Sequence, residues 1–203
     1  MQDINIKTEP KPSKLYFYQR FYEDLENYEK KIDKFSVTDF ACGGSKVLGI
    51  VKPHYYQGVD LKENMILESR NVYSKFNYNF HSADITSFNS GVKTNFGLCI
   101  QTFGINLNFN QKYLIKTLKN LNNHTQKNGS IVFNMTSELY GENKVILDKF
   151  FKDNFEKINF IFYGIFNERY NHKLARILVR IEHFLSFTSF FKKYVYIKCI
   201  KKK

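Results

Sequence analysis

Val37-Thr38-Asp39-Phe40-Ala41-Cys42-Gly43-Gly44-Ser45-Lys46 joins a short apolar run to a knot of small residues, and an apolar pattern resumes at Val47. Five small residues, Ala41 to Ser45, one position beyond Asp39-Phe40, leave the backbone bare. A ligand can then approach the chain closely, and the exposed amides can hydrogen-bond its polar or anionic groups. Ser36 to Ala41 has the length and apolar character of a strand, so the bare segment reads as the loop leaving a strand's carboxyl end.

Outward from this point, strand-length runs alternate with helical ones. Before it, Leu15, Tyr18, Phe21, Tyr22, Leu25, Tyr28 and Ile32 recur every three or four positions, one face of an amphipathic helix. After it, strands are expected at Tyr55 to Leu61, Tyr78 to Ile85, Phe96 to Gln101, Gly129 to Met135, Ile158 to Tyr163 and Tyr194 to Ile200. Helices are expected at Lys62 to Lys75, Asn110 to His124 and Lys144 to Asn154. Alternation of this kind demands crossover connections, hence a three-layer α/β, doubly wound, mostly parallel seven-stranded sheet. Ligands of such folds bind at the carboxyl ends of the strands, near the switch in strand order.

Length and composition bound the rest. The 203 residues suffice for one domain with a sizeable core, and 43% apolar content with three prolines is globular. Residues 1–14, with prolines at 10 and 12, read as a flexible lead, and residues 15–203 as one domain. The amino end has no apolar core of a signal peptide and no run of apolar residues is long enough to span a bilayer, so the expected setting is soluble and cytoplasmic. Cys42, Cys99 and Cys199 are odd in number and widely spaced, which suggests neither a disulfide framework nor a metal site. The net charge is +12, and from Gly164 onward ten Lys or Arg face only Glu168 and Glu182. Either an anionic partner is drawn to that end or the chain simply favours lysine throughout.

The other strand ends add acids. Asp60 closes the second strand, 21 residues beyond Asp39, near the spacing at which a carboxylate reaches the two hydroxyls of a ribose. Asp84 follows the third strand, where it can accept from an amine, with Ile85 as an apolar wall for a ring. Either acid alone is a common strand terminator; three such features at successive strand ends form a pattern. The dinucleotide fingerprint G-x-G-x-x-G fails, because Lys46 takes its third glycine place. The phosphate-binding pattern G-x-x-x-x-G-K-[ST] fails too, because Ile50 and Val51 follow Gly49.

Asp39-Phe-Ala-Cys-Gly-Gly-Ser resembles the D-x-G-x-G-x-G first motif of class I S-adenosylmethionine-dependent methyltransferases, with Gly43 on the central glycine and Ala41 and Ser45 in place of the outer two. The resemblance implies a Rossmann-like fold with an antiparallel last strand. It implies S-adenosylmethionine as cofactor, S-adenosylhomocysteine as product, and a cofactor site of Asp39, Ala41, Cys42, Gly43, Gly44, Asp60, Leu61, Asp84, Ile85, Gln101 and Thr102. Asp39 would lie near the amino-acid moiety, Asp60 at the ribose and Asp84 at the adenine.

Methyl transfer needs alignment more than acid-base chemistry, and a base only where the acceptor must lose a proton. The fourth strand ends in Gln101-Thr102-Phe103-Gly104 and carries no Asn-Pro-Pro-Tyr or Asp-Pro-Pro-Tyr signature, which sets aside the adenine and glutamine-amide enzymes. His81 lies inside a strand and His54 and His124 near helix ends; His172 and His183 are the candidate bases. They sit in an additional segment, 164–192, expected to be helical. Its stripe of Lys173, Arg176, Arg180 and His183 opposes an apolar one, so the segment either packs as an ordinary amphipathic helix or lids an acceptor pocket. Phe103, Arg176 and Arg180 are the candidate acceptor contacts. Three readings stay open: an O- or N-methyltransferase of a small molecule such as a sugar or phosphate-bearing metabolite, an RNA methyltransferase using the basic carboxyl-terminal region, and a noncatalytic cofactor- or partner-binding domain. Peripheral membrane contact through Phe184, Phe187, Phe190 and Phe191 is a further partner class, and no metal is expected.

Overall fold

The structure of the protein, a computed structural model, describes residues 15–104, 110–164 and 192–203. The expected lead (1–14) and most of the expected insertion (164–192), with His172, His183, Arg176 and Arg180, lie outside the described residues.

In chain order the elements are α1 (Leu15–Lys31), β1 (Ser36–Phe40), a 3-10 turn (Lys46–Gly49), β2 (Tyr55–Asp60), α2 (Glu63–Val72), β3 (Tyr78–Ser82), β4 (Thr94–Phe103) and α3 (Gln111–Asn123). Then come β5 (Thr125–Thr136), α4 (Ser137–Glu142), α5 (Lys144–Asn154), β6 (Phe155–Tyr163) and β7 (Tyr194–Lys201). The seven strands form one sheet in the order β3-β2-β1-β4-β5-β7-β6, with β7 antiparallel to both of its neighbours and the other pairs parallel. The order reverses between β1 and β4, so the loops leaving their carboxyl ends run apart and open a crevice there.

The period-2 alternation of the strands sorts the core onto two faces. Phe96 and Leu98 of β4, Val132 of β5 and Tyr196 of β7 join one cluster with Phe17, Phe21 and Leu25 of α1 and Ile66 of α2. Cys99 of β4, Ile131, Phe133 and Met135 of β5, and Val195 and Ile197 of β7 join the other, with Leu114, Leu118 and Leu121 of α3 and Leu147, Phe150 and Phe151 of α5. Helices therefore cover both faces, as the sequence predicts.

α1 is fastened by more than its apolar stripe. Asp24 Oδ2 accepts from the Tyr196 hydroxyl at 2.8 Å, and its Oδ1 pairs with Lys198 Nζ at 2.6 Å. The Lys198 ammonium also lies 4.9 Å from the ring centre of Tyr28. This polar clamp fixes the rotation of α1 on β7, so Tyr18, Phe21 and Tyr22 face the crevice.

Several boundaries differ from expectation, among them the ends of α2, β4 and β6, and three differences have a clear local reason. β3 ends at Ser82 because the carbonyl of Asp84 accepts from the amides of Ser87 and Phe88 and starts a turn. α4 is an addition, started by Thr136, whose side chain accepts from the Leu139 amide at 3.3 Å. β5 starts four residues early: Thr125 pairs with Thr94, and residues 126–129 bulge out before regular pairing resumes at Ser130.

Candidate cofactor site at the strand switch

The loop after β1 takes its shape from alternating left-handed residues. Ala41, Gly43 and Ser45 have φ of 57°, 52° and 52°, and these are the three glycine places of the first-motif pattern. Only at Gly43 does the residue itself remove the cost of that conformation. Ser45 is fully buried and its hydroxyl accepts from Ser69 of α2 at 3.3 Å, which ties the loop to the helix. Gly58 of β2 supports the loop from behind: a Cβ there would stand 2.9 Å from both Cys42 Sγ and Tyr56 Cε1.

Asp60 holds the loop from the next strand. Its Oδ2 accepts from the Gly43 amide and its Oδ1 from the Lys62 amide, each at 2.9 Å. Asp39 is 4% exposed and its Oδ2 accepts from the Tyr56 hydroxyl at 2.8 Å. Burial pushes its carboxyl up to about 7, the Tyr56 bond opposes this, and the Asp60 charge adds to it.

Two adjoining chambers open on this loop. One, of about 380 Å³, is lined by Asp39, Cys42, Gly43 and Gly44 on the sheet side and by Tyr18, Phe21 and Tyr22 of α1 opposite. The other, of about 310 Å³, is lined by Asp60, Leu61, Lys62, Ile85 and Thr102. Ala41, Gly43, Met65, Ile100 and Gln101 line both, which makes the two chambers halves of one trough across the tips of β1, β2 and β4.

The floor of the trough is set by an irregularity. Gln101 has φ of 60°, where β4 breaks register with β5 between Cys99 and Phe103. Its amide leaves the ladder and donates to Asn134 Oδ1 at 2.6 Å, while Asn134 Nδ2 donates to the buried Tyr163 hydroxyl at 2.6 Å. Asn134 and Tyr163 thus fix the backbone at Gln101, one of the five residues that line both chambers. Their signal in the sequence is a lone amide in the apolar run Ile131-Val-Phe-Asn-Met135.

Of the eleven expected cofactor residues, ten line the trough, and Asp84 lies beside it: exposed, with Oδ1 accepting from the Thr86 amide at 2.8 Å. Phe103, expected on the acceptor side, is fully buried against Phe133 and reaches neither chamber, because the bulge at Gln101 turns it into the core. His81 lies in β3, and His124 caps α3, its Nδ1 on the Asn120 carbonyl. Lys46, Met65 and Ile100, which the first-motif resemblance does not point to, also line the trough. Among the described residues no helix is long and apolar enough to cross a membrane.

No family model and no curated protein matches the chain. Solved structures do. The N-methyltransferase NodS from Bradyrhizobium japonicum WM9 in complex with S-adenosylhomocysteine superposes with a TM-score of 0.63 at 7% identity, covering 98% of this chain and 92% of that one. The plantazolicin methyltransferase BpumL, with an analogue and S-adenosylhomocysteine, gives 0.58 at 16% identity over 98% and 88%. An rRNA methylase from Streptococcus thermophilus gives 0.57 at 7% identity over 89% and 95%. The chain has the fold of the class I S-adenosylmethionine-dependent methyltransferases.

Proposed function

We propose that the protein is an S-adenosylmethionine-dependent methyltransferase that methylates an oxygen or nitrogen of a small-molecule acceptor. The observation that carries this reading is the trough. Its left-handed loop, its ribose-spaced carboxylate and its two chambers stand in order across the strand switch, and its size falls in the range of small-molecule sites. The residues present fit the cofactor. The backbone at Ala41, Gly43 and Gly44 is bare, Asp60 aims both oxygens along the loop, and Leu61, 67% exposed, offers an apolar face on the chamber of Asp60.

S-adenosylmethionine supplies a methyl carbon activated by its sulfonium. In this reading Asp60 exchanges its bonds to the Gly43 and Lys62 amides for bonds from the two ribose hydroxyls. Leu61 and Ile85 would hold the adenine by apolar contact, and the Asp84 carboxylate, exposed beside the trough, would accept from its amino group. Asp39, in its ionised form, would face the ammonium of the zwitterionic amino-acid end, with Tyr18 and Tyr22 on the opposite wall. Gln101 lies at the junction of the chambers, with Thr102 beside it in the second, where acceptor and methyl would be brought into line. The chain's contribution to rate is then mainly orientation and exclusion of water. The small-molecule reading is supported by the N-methyltransferase and the plantazolicin methyltransferase among the similar solved structures, and the rRNA methylase among them keeps RNA as the second reading.

Titration calorimetry with S-adenosylhomocysteine tests the reading. Micromolar-range binding is expected, with Asp60→Ala weakening it at least tenfold, about 1.4 kcal/mol. Binding that is absent, or unchanged by Asp60→Ala, removes the site. Methyl transfer from labelled cofactor to small acceptors, compared with bulk RNA, then separates the acceptor classes.

A further inference from the structure

At the end of the sheet opposite the trough, every strand carries a lysine. In spatial order these are Lys75 before β3, Lys52 before β2, Lys34 before β1, Lys93 before β4, Lys127 in the bulge that opens β5, Lys201 at the end of β7 and Lys157 at the start of β6. All but the half-buried Lys201 are exposed. Neighbouring members are close: Lys34 and Lys52 line one shallow depression, and Lys93 and Lys201 line another. The Gln126 side chain, next to Lys127, donates to the Lys93 carbonyl at 3.1 Å. Among the described residues no carboxylate forms an ion pair with Lys34, Lys52, Lys75, Lys93, Lys127 or Lys157. The acids at this end are Glu29, Asp33, Asp153 and Glu156; Glu29 accepts from the backbone amide of Lys52.

Lysines in the last turn of a helix complement its dipole, and Lys30, Lys31 and Lys152 stand in such positions. Lys201 is likewise occupied, donating to the carbonyls of Asn122 and Thr125 near the end of α3. The other six lie outside the helices, so helix capping does not account for the row. Lys201 also reports the crowding: its pKa is lowered, first by burial and then by the charges of Lys93 and Lys127. Like charges held together on a surface raise the local concentration of a polyanion.

We infer that this edge is a docking ridge for a single-stranded RNA backbone. Seven strands at about 4.8 Å spacing make a row about 29 Å long, along which a single-stranded backbone can lay several successive phosphates. The single-file arrangement fits a linear polyanion. A bilayer surface would call for a broad basic face with apolar side chains to insert, and Phe76 is the one large apolar side chain near the row that is at least half exposed among the described residues. β4 separates the ridge from the trough by ten residues, about 30 Å at roughly 3.3 Å each. RNA held here is therefore tethered, with its bound phosphates away from the methyl site, so the inference stands whichever acceptor the trough serves.

The test is fluorescence anisotropy of a labelled oligouridylate of about 12 nucleotides with the full chain, between about 50 mM and 200 mM salt. The expected slope of log K against log salt is about −4, from the six lysines other than Lys201 at about 0.7 each. Lys34→Gln/Lys93→Gln/Lys127→Gln/Lys157→Gln is expected to weaken binding at least tenfold and to flatten the slope by about 3. Its thermal midpoint should match that of the parent chain, showing that the fold is intact. Four results would overturn the inference: no salt-dependent binding; binding unchanged in the quadruple variant; loss instead in Arg169→Gln/Lys173→Gln/Arg176→Gln/Arg180→Gln; or binding to phosphatidylserine vesicles without binding to RNA.

Discussion

Asp39 sets a cost against a use. As a carboxyl raised to about 7 by burial, it binds its proton more tightly in the native chain than in the unfolded one, where it titrates near the ordinary 3.8. The native state is thus favoured below about pH 4 and loses that advantage as pH rises through 7. Asp39→Asn should match the parent in thermal midpoint near pH 3 to 4 and exceed it by several degrees at pH 8, read by scanning calorimetry across that range. Binding of a cationic ligand runs the other way: affinity for S-adenosylmethionine should rise through pH 7 in the parent and stay flat in Asp39→Asn. Ala41 makes a second residue-scale case. A left-handed alanine is strained by about 1 kcal/mol relative to glycine, so Ala41→Gly should stabilise the chain by up to that amount, where most replacements by glycine destabilise. Chemical denaturation with an unchanged m-value would show it; a loss of stability would mean that the alanine methyl contributes more by packing than its backbone costs.

Among the elements, α1 depends on a small number of polar contacts for its setting. Asp24→Ala leaves the Tyr196 hydroxyl and the Lys198 ammonium, both largely covered, without their acceptor; the loss should be about 2 kcal/mol in denaturation. Because the same helix carries Tyr18, Phe21 and Tyr22 to the trough, binding of S-adenosylhomocysteine should weaken in parallel, whereas Arg20→Ala, at an exposed pair with Glu23, should change neither. Element existence was legible in the sequence wherever an apolar period ran long: α1, α3, β1 and β2 lie within a residue of expectation. What was missed depended on a tertiary partner. β4 and β5 reach further back because Thr94, between Thr38 and the α3 end, finds hydrogen bonds that no local pattern announces. The three glycine places were legible by resemblance. That Ala41 and Ser45 hold a left-handed backbone required the fold, and so did the bulge that removes Phe103 from the acceptor side.

For the whole molecule, the sheet has two chemically different ends: carboxylates and bare backbone where β1 and β4 diverge, and lysines where the parallel strands begin. The sequence showed the positive charge as a carboxyl-terminal excess, because composition counts along the chain. The row along the lower edge appears only when strands distant in sequence are set side by side. Cofactor binding should be felt by the whole fold, since the trough is built from α1, α2 and the tips of three strands. At a hundredfold excess over Kd, S-adenosylhomocysteine should add about 2.7 kcal/mol, which for a chain of this size is about 5 to 10 °C in thermal midpoint. A midpoint that does not move with ligand concentration would contradict this.

The division of the trough into two compartments with a common partition has a practical side. Each compartment is large enough for a fragment of its own, so a nucleoside and an amino acid should occupy the protein together without displacing one another. Joining such a pair by a short bridge past Met65 and Ile100 would make the second attachment intramolecular, and the joined compound should outbind either piece by orders of magnitude.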